Sequence, residues 1–209
     1  EKNIAALSEK AHELRVKAAK RLDASVLKEL KVLGLPHARF FCSIEMEEGN
    51  WSRTGADAVE FLLAANPGEP LRAIKAVASG GELARVMLAL KTVLAAIDEV
   101  PLLVFDEVDA NVGGEIGRIV GEKMADIAVK HQVLCVTHLP QVAAQARNHF
   151  VVTKDQSGDR TSVGIEPIHA SRKERVSELA RMLGDRSAKS GFKRNHIIHF
   201  RRDDIISQS

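Results

Sequence analysis

Between Glu1 and Leu33 the apolar residues Ile4, Leu7, Ala11, Leu14 and Ala18 recur at alternating spacings of three and four, and Leu22, Val26 and Leu30 continue at four. No Gly or Pro interrupts the run, so the pattern predicts one long helix with a narrow apolar seam on a charged surface. Such a seam suits a coiled-coil strand or an amphipathic helix lying on its own domain. Gly34 and Pro36 end it. Beyond the break, the Phe- and Ile-rich stretch from Ala38 to Met46 reads as a half-buried strand. Ala58 to Ala64 reads as a second, ahead of the turn signals in Asn66-Pro67-Gly68.

The pattern then alternates between the two periods. Leu83, Val86, Met87, Leu90 and Val93 mark a helix that leads through Pro101 to the apolar run Leu102 to Phe105. A continuous apolar run of this kind predicts a parallel strand buried on both faces. A helix over about Glu115 to Lys130 leads to a similar strand, Val133 to Val136. A short helix follows Pro140, then strands near His149–Thr153 and Ser162–Ile168, and a helix from Ser171 to Leu183. Strand, helix, strand in this order predicts an α/β domain with a parallel sheet, right-handed crossovers and ligands at the strands' carboxyl ends.

Length and charge refine this picture. The 209 residues suffice for one main domain with an appendage. Of 30 Lys/Arg and 28 Asp/Glu, residues 1–31 hold 8 and 5 and residues 185–209 hold 6 and 3, so the body between them is net acidic. A broad non-specific DNA surface on that body is therefore disfavoured. Cys42 and Cys135 sit in apolar runs without metal-ligand spacing, which predicts two buried, reduced thiols. No apolar run approaches the ~18 residues of a membrane span and no signal peptide opens the chain, a pattern expected of a cytoplasmic protein. The first residue is Glu rather than Met and the opening reads as mid-helix, as in a piece of a longer chain.

Candidate chemistry sits at two helix and strand ends. Leu102 to Phe105 runs into Asp106 and Glu107, which places two adjacent carboxylates at the carboxyl edge of the sheet in a Walker B pattern. Asp106 suits Mg²⁺, a hard cation that wants oxygen ligands. Glu107 suits a general base that orients and deprotonates water. Ser79-Gly80-Gly81-Glu82 opens the helix at Leu83, where paired glycines let backbone N–H groups approach an anion. The same four residues also read as a Ser N-cap with Glu82 in the first turn. Asp109-Ala110-Asn111-Val112-Gly113 follows the carboxylates, and Thr137-His138 follows the next strand.

Taken in order, these four elements resemble those of ABC-type ATPases: signature motif, Walker B, D-loop and switch histidine. Their wording resembles the RecN family of bacterial DNA repair proteins, within the wider group of structural-maintenance-of-chromosomes (SMC) proteins. The stretches concerned are 78–85 (Ala-Ser-Gly-Gly-Glu-Leu-Ala-Arg), 105–109 (Phe-Asp-Glu-Val-Asp) and 136–143 (Val-Thr-His-Leu-Pro-Gln-Val-Ala), with Arg175-Val176 and 181–184 (Arg-Met-Leu-Gly) downstream.

The resemblance implies a P-loop NTPase-like, ABC-type head lobe over 34–189, preceded by the end of a coiled-coil arm over 1–33. It implies ATP and Mg²⁺ as cofactors, with Asp106 on the metal, Glu107 as base and His138 at the γ-phosphate. Ser79, Gly80, Gly81 and Glu82 would face a nucleotide held by the opposite head. The implied partners are an N-terminal lobe of the same protein, a second head and DNA, in a cytoplasmic, nucleoid-associated protein that repairs double-strand breaks. Two departures stand out. Gly113 occupies the place where many relatives end the D-loop with Asp, and residues 190–209 no longer read like the family's closing helix, so an irregular tail is expected there.

A Walker A loop, Gly-x-x-x-x-Gly-Lys-Ser/Thr, is absent from the 209 residues, in which the dipeptide Gly-Lys does not occur. The stretch 49–55 lacks both the Lys and the spacing. On this reading the chain is the returning arm and C-terminal lobe of a split ATP site. The alternatives are a head segment of another SMC or ABC ATPase, and a non-enzymatic module that dimerises through residues 1–33.

Overall fold

A computed structural model describes residues 2–47, 49, 51–77, 79–155, 162–184 and 194–200. The chain divides into two compact units, 1–93 and 94–209. The first contains helix α1 (Lys2–Val32), strands β1 (Arg39–Met46), β2 (Asp57–Ala64) and β3 (Arg72–Ala73), and helix α2 (Gly80–Leu94). β1 and β2 pair antiparallel from Arg39 opposite Ala64 to Met46 opposite Asp57, and β3 adds to β2.

The seam of α1 has two fates. Its C-terminal part packs on β1, with Val26, Leu30 and Leu33 fully buried beside a core that includes Phe40, Cys42 and Leu63. In its N-terminal part Ile4, Leu7 and Leu14 are exposed among the described residues. The reading of an amphipathic helix lying on its own domain thus holds for the C-terminal part of the helix. Phe40 and Cys42 face inward and Phe41 outward, the alternation a half-buried strand requires.

The second unit is built on a five-stranded sheet in the order β4-β5-β8-β6-β7. Its strands are β4 (Leu102–Phe105), β5 (Gln132–Thr137), β6 (Asn148–Asp155), β7 (Ser162–Pro167) and β8 (Arg194–Phe200). Helices α3 (Gly114–Ile127), α4 (Pro140–Ala143) and α5 (Arg172–Met182) complete it. Only β4 and β5 are parallel, joined through α3, while β8 runs antiparallel to both β5 and β6, and β7 antiparallel to β6. The sheet is therefore mixed, which corrects the parallel sheet expected from the strand-helix alternation.

β8 also corrects the irregular tail over 190–209. His196, Ile198 and Phe200 are buried in strict alternation, a period of two hidden in the sequence because one inward position is a histidine. The remainder of that tail, 190–193 and 201–209, lies outside the described residues. β4 differs from expectation as well. Leu103 and Phe105 are buried, but Leu102 and Val104 are 45% and 63% exposed, so one face of this edge strand is uncovered. Cys42 and Cys135 are buried and free. Among the described residues, no helix is long and apolar enough to cross a membrane.

Candidate functional site

β4 delivers Asp106 and Glu107 to the sheet's carboxyl edge, and both side chains are exposed. Asp106 Oδ1 accepts a hydrogen bond from the Glu107 backbone N–H at 2.9 Å. Glu107 has φ 57°, a left-handed conformation that costs a residue with a Cβ about 1–2 kcal/mol. The kink is followed by a turn closed by Ala110 N–H to the Glu107 carbonyl at 3.0 Å. Its consequence is a reversal of direction: after two exposed acids, Val108 and Asp109 are 0% and 2% exposed.

Asp109 is the centre of a hydrogen-bonded knot. Its Oδ2 accepts from Thr137 Oγ1 at 2.5 Å, from His138 N at 2.9 Å and from Leu139 N at 3.2 Å. His138 Nδ1 lies 3.2 Å from the same oxygen, while the His138 side chain is 68% exposed. Leu139 N–H is shared with Thr137 Oγ1 at 3.1 Å. Asp106, Glu107 and His138, together with Asp109, Ala110, Val136 and Thr137, line one open cleft of about 300 Å³. The expected acid, base and histidine are thereby brought together from two separate loops. Behind them, burial pushes the Cys135 thiol well above its ordinary range, and the Asp109 and Asp106 carboxylates push the same way, so this sulfur stays a thiol.

The Ser-Gly-Gly-Glu stretch lies in the other unit. Ser79 is the N-cap of α2: its carbonyl accepts from Leu83 N–H at 3.0 Å, and its Oγ takes a long 3.4 Å bond from Glu82 N–H. Gly80 is exposed, Gly81 is buried and Glu82 sits in the first turn, where it complements the helix dipole. The capping alternative is thus realised in the geometry. A cavity of about 370 Å³ adjoins it, with Glu69, Arg72, Ser79 and Glu82 on its walls.

Sequence reading left Asp109 and Thr137 without a role. The available signals were the second acid of Asp-Glu-Val-Asp and a Thr immediately before the candidate histidine, but the inward turn at Glu107 that unites them is a backbone property invisible in composition. Among the described residues, no group of three or more His, Cys, Asp or Glu side chains could hold a metal ion on its own. A cation at Asp106 would draw its remaining ligands from a nucleotide and water.

No family model matches the chain. It is similar to the DNA repair protein RecN of Streptomyces coelicolor, at 43% identity over 191 residues, which cover 86% of this chain and 33% of that protein. RecN of Treponema pallidum is 47% identical over 156 residues, 72% of this chain and 27% of that one. RecN of Bacillus subtilis is 35% identical over 196 residues, 87% and 34% respectively. The chain thus spans about a third of the length of the curated relatives it matches. Among solved structures, the Smc head domain of Pyrococcus furiosus, with an extended coiled coil and bound to the C-terminal domain of ScpA, aligns with a TM-score of 0.52. Its identity is 17%, over 86% of this chain and 42% of that one, a likeness of fold.

Proposed function

From a chain that belongs to the RecN family over most of its length, we infer one half of an ATP-hydrolysing head that works in recombinational repair of DNA double-strand breaks. The observation that carries this reading is the cleft in which Asp106, Glu107 and His138 meet at the carboxyl edge of the sheet. In it, Asp106 supplies a hard oxygen ligand to Mg²⁺, which when bound with ATP neutralises phosphate charge. Glu107 orients the attacking water and takes its proton, a step worth about 10²–10⁴ in rate. His138 contacts the γ-phosphate through its exposed ring. Ser79, Gly80, Gly81 and Glu82 form the surface that meets a nucleotide held by a second head, with the N-terminus of α2 favouring the anion.

The missing phosphate cradle belongs, on this reading, to an N-terminal lobe of the same protein. Two uncovered apolar surfaces support that division. The open face of β4, with Leu102 and Val104, suits a packed lobe, and Ile4, Leu7 and Leu14 on α1 suit a partner helix of a coiled-coil arm. DNA would be engaged by the assembled protein, in a cytoplasmic, nucleoid-associated setting.

The test is Glu107→Gln in the full-length protein. The substitution keeps the shape and removes the base, so ATP binding should persist while single-turnover hydrolysis falls about 10²–10⁴-fold and ATP-engaged heads accumulate. Turnover at the wild-type rate would remove Glu107 from the role of base.

A further inference from the structure

We propose that Asp109 is the positioning residue for His138, holding the ring and its loop in the orientation that the reaction uses; this rests on the ATPase reading above. The two peptide groups that flank the His138 Cα both donate to Asp109 Oδ2, through His138 N at 2.9 Å and Leu139 N at 3.2 Å. Holding both peptide groups restrains rotation of the His138 backbone. The hydroxyl of Thr137, itself buried, donates to the same oxygen, so one carboxylate oxygen holds three donors of this loop. Three donors converge on one oxygen of a carboxylate that would be costly to bury without them.

The ring lies beside the same oxygen, with His138 Nδ1 3.2 Å from Oδ2, so a proton placed on Nδ1 would face the carboxylate and leave Nε2 to a ligand in the cleft. A freely tumbling surface histidine would hold neither tautomer nor direction.

A second set of contacts clamps the loop from outside. Gly114, Gly117 and Gly121 lie on one face of α3 at spacings of three and four, and the segment after His138 packs directly on them. A Cβ at Gly114 would stand 2.7 Å from Gln141 Nε2, at Gly117 2.7 Å from Leu139 Cδ1, and at Gly121 2.8 Å from Gln145 Cγ and 3.3 Å from Val142 Cα. A side chain at any of these positions would displace its neighbour, least easily at Gly121, where the Val142 backbone is also close. Since α3 begins one residue after the 109–113 loop, Asp109 and the glycine face hold the histidine loop between them.

The experiment compares Asp109→Asn, His138→Ala and the double variant with wild type in the full-length protein. Single-turnover hydrolysis, ATP affinity and the ¹⁵N-histidine NMR tautomer of His138 are read in each. Asp109→Asn should slow hydrolysis by about 10–100-fold, the range for groups that orient a reacting ligand, at unchanged ATP affinity. The double variant should be no slower than His138→Ala alone, because Asp109 acts through His138. The wild-type ring should be protonated on Nδ1 and lose that preference in Asp109→Asn. Additive losses, a wild-type rate in Asp109→Asn, or an Nε2-protonated ring in the wild-type protein would overturn the proposal. The last readout needs no variant to fold. A wild-type protein without ATPase activity but with the Nδ1-protonated ring would overturn the ATPase reading and support the hold of Asp109 on His138.

Discussion

Each unit contains an almost fully buried aspartate side chain, and the two differ in what they hold. In residues 1–93 Asp57, its side chain 1% exposed, receives His12 Nδ1 at 2.6 Å and Arg15 Nη1 at 2.5 Å, two charged or chargeable side chains from α1. In residues 94–209 Asp109, its side chain 3% exposed, receives a hydroxyl and two backbone N–H groups of one loop. The first arrangement ties a helix to a strand by charge. The second shapes a loop by direction and lies beside the exposed Asp106, Glu107 and His138. A buried acid is therefore not by itself a sign of catalysis. The identity of its donors shows whether it bears load between elements or aims a side chain.

Acid should separate the two units most strongly. Burial, with further pressure from His196 and Arg175 that outweighs Glu178, lowers the pKa of His149 to about 4. Its Nε2 sits 3.0 Å from His196 Nδ1, and Arg181 donates to the other nitrogen of His196 at 3.2 Å. The unfolded state then binds the proton that the folded state refuses, so stability is full above the unfolded pKa of 6.5 and falls as pH drops toward 4. The loss reaches on the order of 3 kcal/mol. Asp57 loses its contribution in the same direction but at lower pH. Burial opposes ionisation, but hydrogen bonds from Arg15 and His12 win and hold its carboxyl below 3.8, so its contribution is present above that pH and is lost only below it. Hydrogen exchange from pH 7 to 3.5 should show residues 94–209 losing protection first, between 6.5 and 4. Simultaneous loss in both units would break the contrast.

A smaller effect sharpens it. Asp57→Ala strands Arg15 and His12, whose side chains are 34% and 27% exposed and so partly rehydrate. The cost should be about 2 kcal/mol in denaturant unfolding, below the value for a fully buried pair. In the full-length protein ATP turnover per folded molecule should stay within about twofold of wild type, unlike the response to Asp109→Asn. A large catalytic loss in Asp57→Ala would give both acids the same role.

Much of this was legible from residue order. The strand Leu102–Phe105 matches its expected bounds, and the turn residues around Gly34-Leu35-Pro36 and Asn66-Pro67-Gly68 separate elements where expected. Asp106 and Glu107 were singled out because an apolar strand that ends in polar residues marks the sheet's carboxyl edge, and His138 because it stands after the next strand at the place of the switch histidine in the family it resembles. What escaped depends on backbone geometry and long-range pairing. Nothing in Glu107 as a residue type announces φ 57°, and without that turn Asp109 reads as a loop acid in water. β8 escaped because His196 fills an inward position next to His149, a pairing between residues 47 apart in sequence. The glycine face of α3 was spelled out at 114, 117 and 121, but it gains meaning only once Leu139, Gln141 and Gln145 lie against it.

The central claim is that this chain carries the acid, the base and the signature surface of an ATP site without its phosphate cradle. Titration of the 209-residue chain with a fluorescent, non-hydrolysable ATP analogue and Mg²⁺, followed by ATP turnover before and after addition of the remaining RecN polypeptide, tests it most directly. The account predicts no stoichiometric binding and background hydrolysis by the chain alone, with turnover appearing when the complementary polypeptide is added. Micromolar binding at one site per chain, with turnover that the added polypeptide does not change, would contradict it.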